Sequence, residues 1–226
     1  MKLRSKLGLF SIILVGLSIF TLFSFGKRVK GDFPKKSILK FNKEVPVFKS
    51  GDLIFQSSTA GQGKAIQLAT KSPYSHVGII FEHDNGLFVI EAVQPVKITP
   101  LKYFIDRTAN KEYVVKRLKN AEDVLTPKKV IEMKNWANEY LGKDYDLYFE
   151  WSNERIYCSE LVWKMYQENT GIEIGELQTL QSFDLTHPIV QQKMKERYGD
   201  NVPMDELVIS PGAMFDSELL EEVYAE

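Results

Sequence analysis

Two apolar runs on either side of Asp84-Asn85-Gly86 constrain this chain more than any other feature. Residues 75–93 read SHVGIIFEHDNGLFVIEAV. Asn-Gly between alternating or continuous apolar runs is a strong signal for a tight β-hairpin. A two-residue loop pairs residues whose numbers sum to an odd value, about 169 to 171 here. Side chains alternate faces with period two. Even positions near His76 therefore share a face with odd positions near Glu91. The hairpin predicts that Glu91 lies on the His76 side of a sheet. Glu82 shares that face but sits closer to the turn.

Around the hairpin the elements alternate in kind. Gly51-Asp52 opens LIFQ, a short strand, and YVVKRL (113–118) reads as another. GKAIQLATK carries a weak helical pattern that Pro73 stops. TPKKVIEMKNWANEYLG (126–142) is a marked helix. Thr126 stands at its N-cap, Pro127 at its first position and Gly142 at its end. Val130, Met133, Trp136, Ala137, Tyr140 and Leu141 form its apolar stripe. After an aromatic loop, KDYDLYFEW, IYCSELVWKMYQENTG (156–171) predicts a second helix closed by Gly171. Residues 176–226 hold an amphipathic piece near 186–198, then LVIS, Pro211-Gly212 and an acidic tail expected to be helical. Strands packed against helices make the fold class α+β.

The N-terminus reads differently. Residues 7–26, LGLFSIILVGLSIFTLFSFG, form an uncharged apolar run of a length that can span a bilayer. Lys2, Arg4 and Lys6 precede it, as in a secretory signal peptide, and Ser24 and Gly26 are small residues two apart. No Cys follows the run closely, so lipoprotein processing there is excluded. Residues 1–26 are expected to be a signal peptide or membrane anchor and 27–47 a linker, with residues 48–226 one domain. Either reading of the leader puts that domain in the cell envelope, outside the cytoplasmic membrane. If uncleaved, residues 7–26 bring the chain to the membrane.

The chain of 226 residues has 29 basic and 30 acidic side chains and a formal net charge of −1. That balance gives no support for nucleic-acid binding. One Cys and three His match no metal-ligand spacing, so no metal is expected. GQGKA (61–65) is too short for a phosphate loop, and no cofactor is expected.

Three residues could carry chemistry. Cys158 opens a predicted helix, where unpaired N–H groups and the positive dipole end favour a thiolate. The same position suits a small buried hydrophobe. His76 enters a strand directly after Pro73-Tyr74-Ser75, as a general base or as a polar boundary residue. His83 lies by the turn and His187 in a polar region. Glu91, on the His76 face, could orient the imidazole and stabilise its cation, or be a surface strand residue. Tyr157 could hydrogen-bond a substrate, or pack. Asp52 and Asp146 read as caps or turn residues before site acids.

SGDLIF (50–55), SHVGIIFE with FVIEA (75–92) and LGKDYDLYFEWSNERIYCSELVW (141–163) together resemble the permuted papain-like amidases of the YiiX/YaeF group. That group is related to NlpC-type cell-wall peptidases and to acyltransferases of the lecithin–retinol type. VISPGAMFDSELLEEV resembles its C-terminal region, and the resemblance covers about residues 48–220. It implies a permuted papain-like (NlpC-type) fold, with the His first on a strand and the Cys later at a helix start. It places the nucleophile on Cys158, the base on His76 and the third polar residue on Glu91, with Tyr157 at a position often aromatic in such sites. The function implied is a cysteine hydrolase that cleaves a peptide or cell-wall amide through an acyl-enzyme. A lipid ester hydrolase or acyltransferase, and a non-catalytic envelope binding module, are the alternatives. An apolar groove at the site would favour a lipid-type substrate, and charged groups beside the cleft a peptide.

Overall fold

The computed structural model describes residues 47–58, 61–108 and 112–226. The expected leader, residues 1–26, and all but the last residue of the expected linker lie outside those described. Among the described residues no helix is long and apolar enough to cross a membrane.

The short apolar runs form one antiparallel sheet. Its strands are β1 (Leu53–Gln56), β2 (His76–His83), β3 (Gly86–Glu91), β4 (Lys97–Pro100), β5 (Tyr113–Leu118) and β8 (Leu220–Ala225), in the order β4-β3-β2-β1-β5-β8. The hairpin keeps the register expected of a two-residue loop, pairing Ile79 with Ile90 and His83 with Gly86. A small separate pair joins β6 (Gln178–Thr179) to β7 (Leu207–Val208).

The central strands are buried on both faces, which is why they read as continuous apolar runs rather than strict alternations. On one face Leu53, Phe55, Val77, Ile79 and Phe81 pack in one core with Leu161, Val162 and Met165 of α5 (Cys158–Thr170) and Met133 and Ala137 of α4 (Pro127–Tyr140). On the other, Ile54, Ile80, Val89 and Val115 pack against Leu101, Phe104 and Ile105 of α2 (Leu101–Asp106). Gly78 marks where that second layer presses closest. A Cβ there would lie 2.4 Å from Val89 Cγ1 and 3.4 Å from the Phe104 ring. The remaining helices are α1 (Gly61–Thr70), α3 (Ala121–Val124), α6 (Pro188–Tyr198) and α7 (Pro211–Phe215).

The two long helices have the ends their sequences predict. Thr126 Oγ1 accepts from Lys129 N at the start of α4. Gly171, with φ +75°, closes α5 as its left-handed cap. Nine consecutive residues of α5, Cys158 to Tyr166, are buried. A helix buried on all sides must pair its polar groups, and Ser159 Oγ does so by donating to Ile209 O at 2.7 Å.

The C-terminal tail departs from expectation. It is not helical beyond the short α7; it ends as β8, antiparallel to β5. Helical spacing of its charges is overridden by cross-strand pairing, which sets Glu221 opposite Arg117 and Glu222 opposite Lys116. Leu220 turns inward and is buried. The sequence reading also left β4 and α2 unassigned, and both reach the site.

Candidate active site

His76 is the first residue of β2 and Glu91 the last of β3. The hairpin register sets Glu91 level with Gly78, one diagonal step from His76. From there the Glu91 carboxylate reaches His76 Nε2 at 2.7 Å. Glu91 is fully buried and takes two further donors, Thr99 Oγ1 at 2.5 Å from β4 and Arg107 Nη2 at 2.6 Å from the end of α2. The His76 ring stacks on Phe104 at 5.7 Å between centroids, and the Arg107 guanidinium lies 5.1 Å from the same ring. So α2 supplies both the platform under the imidazole and the cation beside its carboxylate. Burial pushes the Glu91 carboxyl upward, but hydrogen bonds from His76 and Arg107 outweigh it and hold the group down at about 2.

Cys158 is the first residue of α5 and is buried. Burial disfavours its thiolate, yet the hydrogen bond and charge of His76 bring its pKa below the usual thiol value, with the Val77 N–H and the Tyr145 hydroxyl adding to the effect. The Tyr145 hydroxyl lies 4.0 Å from Sγ. Burial pulls the His76 pKa down, but its bonds to Cys158 and Glu91 push it up to about 9. With Nε2 held by Glu91, Nδ1 is the ring nitrogen left for the sulfur. Both shifts run in the direction that favours a thiolate beside an imidazolium, the form in which a cysteine is nucleophilic.

Two cavities meet at this pair. One, about 650 Å³ with its mouth included, runs between α1, α6 and the start of α5 and has Cys158 in its wall. Its lining is mostly apolar, with Ile66, Phe149, Leu180, Phe183, Val190 and Met194 among the residues, and Lys193 and Arg197 also contribute. The other, about 1130 Å³, has a mixed lining, with His76, Gln56 and Arg107 in its wall beside Ala92, Val93 and Leu147. Gln62, Ile66 and Tyr145 line both. The arrangement can hold a carbonyl at the junction, an apolar group on the sulfur side and a polar group on the imidazole side.

Residues 47–224 match the profile of the family described as "Permuted papain-like amidase enzyme, YaeF/YiiX, C92 family". The chain belongs to this permuted papain-like amidase family. It is accordingly a cysteine amidase or peptidase-like hydrolase with the α+β permuted papain-like fold. It is 47% identical over 193 residues to the "Uncharacterized protein YiiX" of Escherichia coli (strain K12), covering 84% of this chain and 94% of that protein. It also superimposes, with a TM-score of 0.74 and 48% identity, on a crystal structure described as "metalloprotein yiiX from Escherichia coli O157:H7", covering 79% of this chain and 97% of that one. In this amidase, no group of three or more His, Cys, Asp or Glu side chains is placed to hold a metal ion among the described residues.

The other sequence candidates fall elsewhere. The Tyr157 side chain is in the wall of the apolar cavity, but its hydroxyl accepts from Ile209 N at 3.1 Å. Asp52 forms a two-pronged pair with Arg117, at 2.7 Å on each side. Asp146 caps its loop, accepting from Tyr148 N and Glu150 N. Glu82 accepts, at 3.4 Å, from Ser50 N. The sequence reading missed Thr99, Arg107, Tyr145 and Gln56. A Tyr thirteen residues before a Cys, or an Arg sixteen after a Glu, carries no periodic signal. Only the folding of β4, α2 and the aromatic loop over the hairpin brings them in.

Proposed function

We propose that this amidase hydrolyses an amide or ester of an apolar acyl group through Cys158, His76 and Glu91. The observation that carries the reading is the placement of Cys158 in the wall of an apolar cavity, with His76 in the wall of a second cavity that also holds polar side chains. The Cys158 thiolate attacks the carbonyl carbon and a C–S bond forms. The oxyanion that develops faces the unpaired N–H groups at the start of α5, with the Tyr145 hydroxyl as a second donor. The His76 imidazolium gives its proton to the leaving nitrogen or oxygen as that bond to carbon breaks. Water then attacks the thioester and loses its proton to His76. The C–S bond breaks, and the acid leaves with the sulfur again a thiolate. Glu91 holds the ring and stabilises its cation throughout.

The apolar lining moves the expected substrate away from an unmodified cell-wall peptide, whose acyl side would be polar. A peptide-type amide carrying an apolar acyl chain satisfies both cavities. Envelope placement through residues 7–26 belongs to the same proposal; fractionation of the full chain, with its mature length, tests it.

The test of the chemistry is the pH dependence of Cys158 alkylation by iodoacetamide in the full chain, alongside hydrolysis of N-decanoyl amino acids. Alkylation is expected to persist well below the free-thiol pKa of about 8.5, and His76→Ala to abolish that persistence. Cys158→Ser should abolish hydrolysis. A thiol that titrates as an ordinary one in both proteins would overturn the reading and favour a binding module.

A further inference from the structure

The mixed cavity beside His76 holds two polar side chains that the hydrolytic steps leave unused. Gln56 ends β1 directly across from His76, so the two share a face of the sheet. It is 7% exposed, and its Oε1 is buried with no hydrogen-bond partner among the described residues. A buried acceptor left without a donor is unfavourable. Here the residue stands in a cavity wall, and a turn of its amide would bring that buried oxygen to a donor of a bound molecule. Arg107 spends Nη2 on Glu91, yet its side chain remains 36% exposed and lines the same cavity. No Asp or Glu lines that cavity among the described residues. An arginine fork facing a cavity without a competing acid suits a carboxylate.

Resting on the hydrolase reading above, we infer that this cavity is the leaving-group subsite, and that the leaving group is an amino acid or peptide with a free carboxylate. Gln56 Oε1 accepts the N–H of the scissile amide, and the free edge of Arg107 binds the carboxylate. The first contact distinguishes amide from ester, because an ester has no N–H and leaves Gln56 unpaired. The second distinguishes an anionic leaving group from a neutral one of the same shape. Arg107 thus couples the two tasks: the guanidinium that meets the substrate also touches the carboxylate that orients His76.

The full chain would be assayed on three probes with the same acyl chain: N-decanoyl-L-alanine, its N-methylamide, and O-decanoyl-L-lactate. The wild type should favour the first over the second by about 10- to 100-fold in kcat/KM, the range of one charge-assisted hydrogen bond. Arg107→Gln should bring that ratio close to one, whatever it does to the shared rate through Glu91. Gln56→Leu should lower kcat/KM for the alanine amide relative to the lactate ester. Equal rates on the first two probes in the wild type, or a ratio that survives Arg107→Gln, would overturn the inference. If no probe turns over while Cys158 still alkylates fast at low pH, protection from alkylation reads the same preference. Equal protection by the acid and its N-methylamide, or none, would overturn the inference and leave the hydrolase reading standing. An ordinary, His76-independent thiol would overturn both.

Discussion

Glu91 and Glu160 are both fully buried, and each has a cation within 2.7 Å, yet their carboxyl groups move in opposite directions. Glu91 is held at about 2, and Glu160 is pushed up to about 7. Burial raises both; Glu91 is answered by two cationic partners, His76 and Arg107, whereas Glu160 has one, Lys164, and is raised further by the charge of Asp146. Glu91 receives three at 2.5 to 2.7 Å, from Thr99, His76 and Arg107. Glu160 lies 2.7 Å from Lys164 Nζ through Oε1, and that ammonium is shared with Ser152 O and Asn153 Oδ1. Its other oxygen accepts from Tyr157 N at 3.4 Å. One shared cation does not keep a buried carboxyl ionised; two cations and a hydroxyl aimed at its oxygens do.

Glu91→Gln should show the largest effect. The imidazolium loses its counter-charge, so hydrolysis should fall by about 10²- to 10⁴-fold, and the alkylation profile of Cys158 should shift toward that of a free thiol. A fall smaller than about tenfold would remove Glu91 from its role. Lys164→Met should come next and should appear in stability. Above pH 7 it strands the Glu160 charge, at a cost of about 3–5 kcal/mol; at pH 5, where Glu160 is protonated, thermal melts should show a much smaller loss.

The pH slopes of the two groups should have opposite signs. Glu160 binds its proton more tightly when folded than the usual 4.5 allows, so its contribution to stability falls as pH rises from about 4.5 through 7, by on the order of 3 kcal/mol. Glu160→Gln should flatten that fall in denaturant titrations while leaving hydrolysis within about twofold. The folded pKa of Glu91 is depressed, so its contribution is present above about 4.5 and is lost as pH falls toward 2. Thr99→Val should be the mildest change. It removes one of three donors, so Glu91 should titrate higher and acid unfolding should begin at higher pH, at a cost of about 1–3 kcal/mol. If Thr99→Val leaves acid unfolding unmoved, the hydroxyl has no part in the contrast.

Much of this site could be read along the chain because its chemistry is carried by local signals. The Asp84-Asn85 turn set the hairpin register, and the register put Glu91 on the His76 side. Gly171 marked the end of α5, and Cys158 stood near the start of that predicted helix. The rest was not readable, for a definite reason. Thr99 and Arg107 reach Glu91 only because β4 and α2 fold back over the hairpin. The acidic tail became β8 because β5 had a free edge, a property of the sheet and not of the tail.

Period-two alternation, a turn dipeptide and helix ends act between residues a few positions apart, so residue order alone was enough to specify the hairpin, the long helices and the shared face of His76 and Glu91. The cavities on either side of Cys158 and His76 are built from α1, the aromatic loop, α6 and the segment before α7, which lie far apart in sequence. Whether a buried carboxyl there is acid or base, and what its neighbouring cavity will accept, depends on which donors arrive in three dimensions. Only the packed structure decides that, because desolvation and hydrogen-bond direction are properties of an assembled interior.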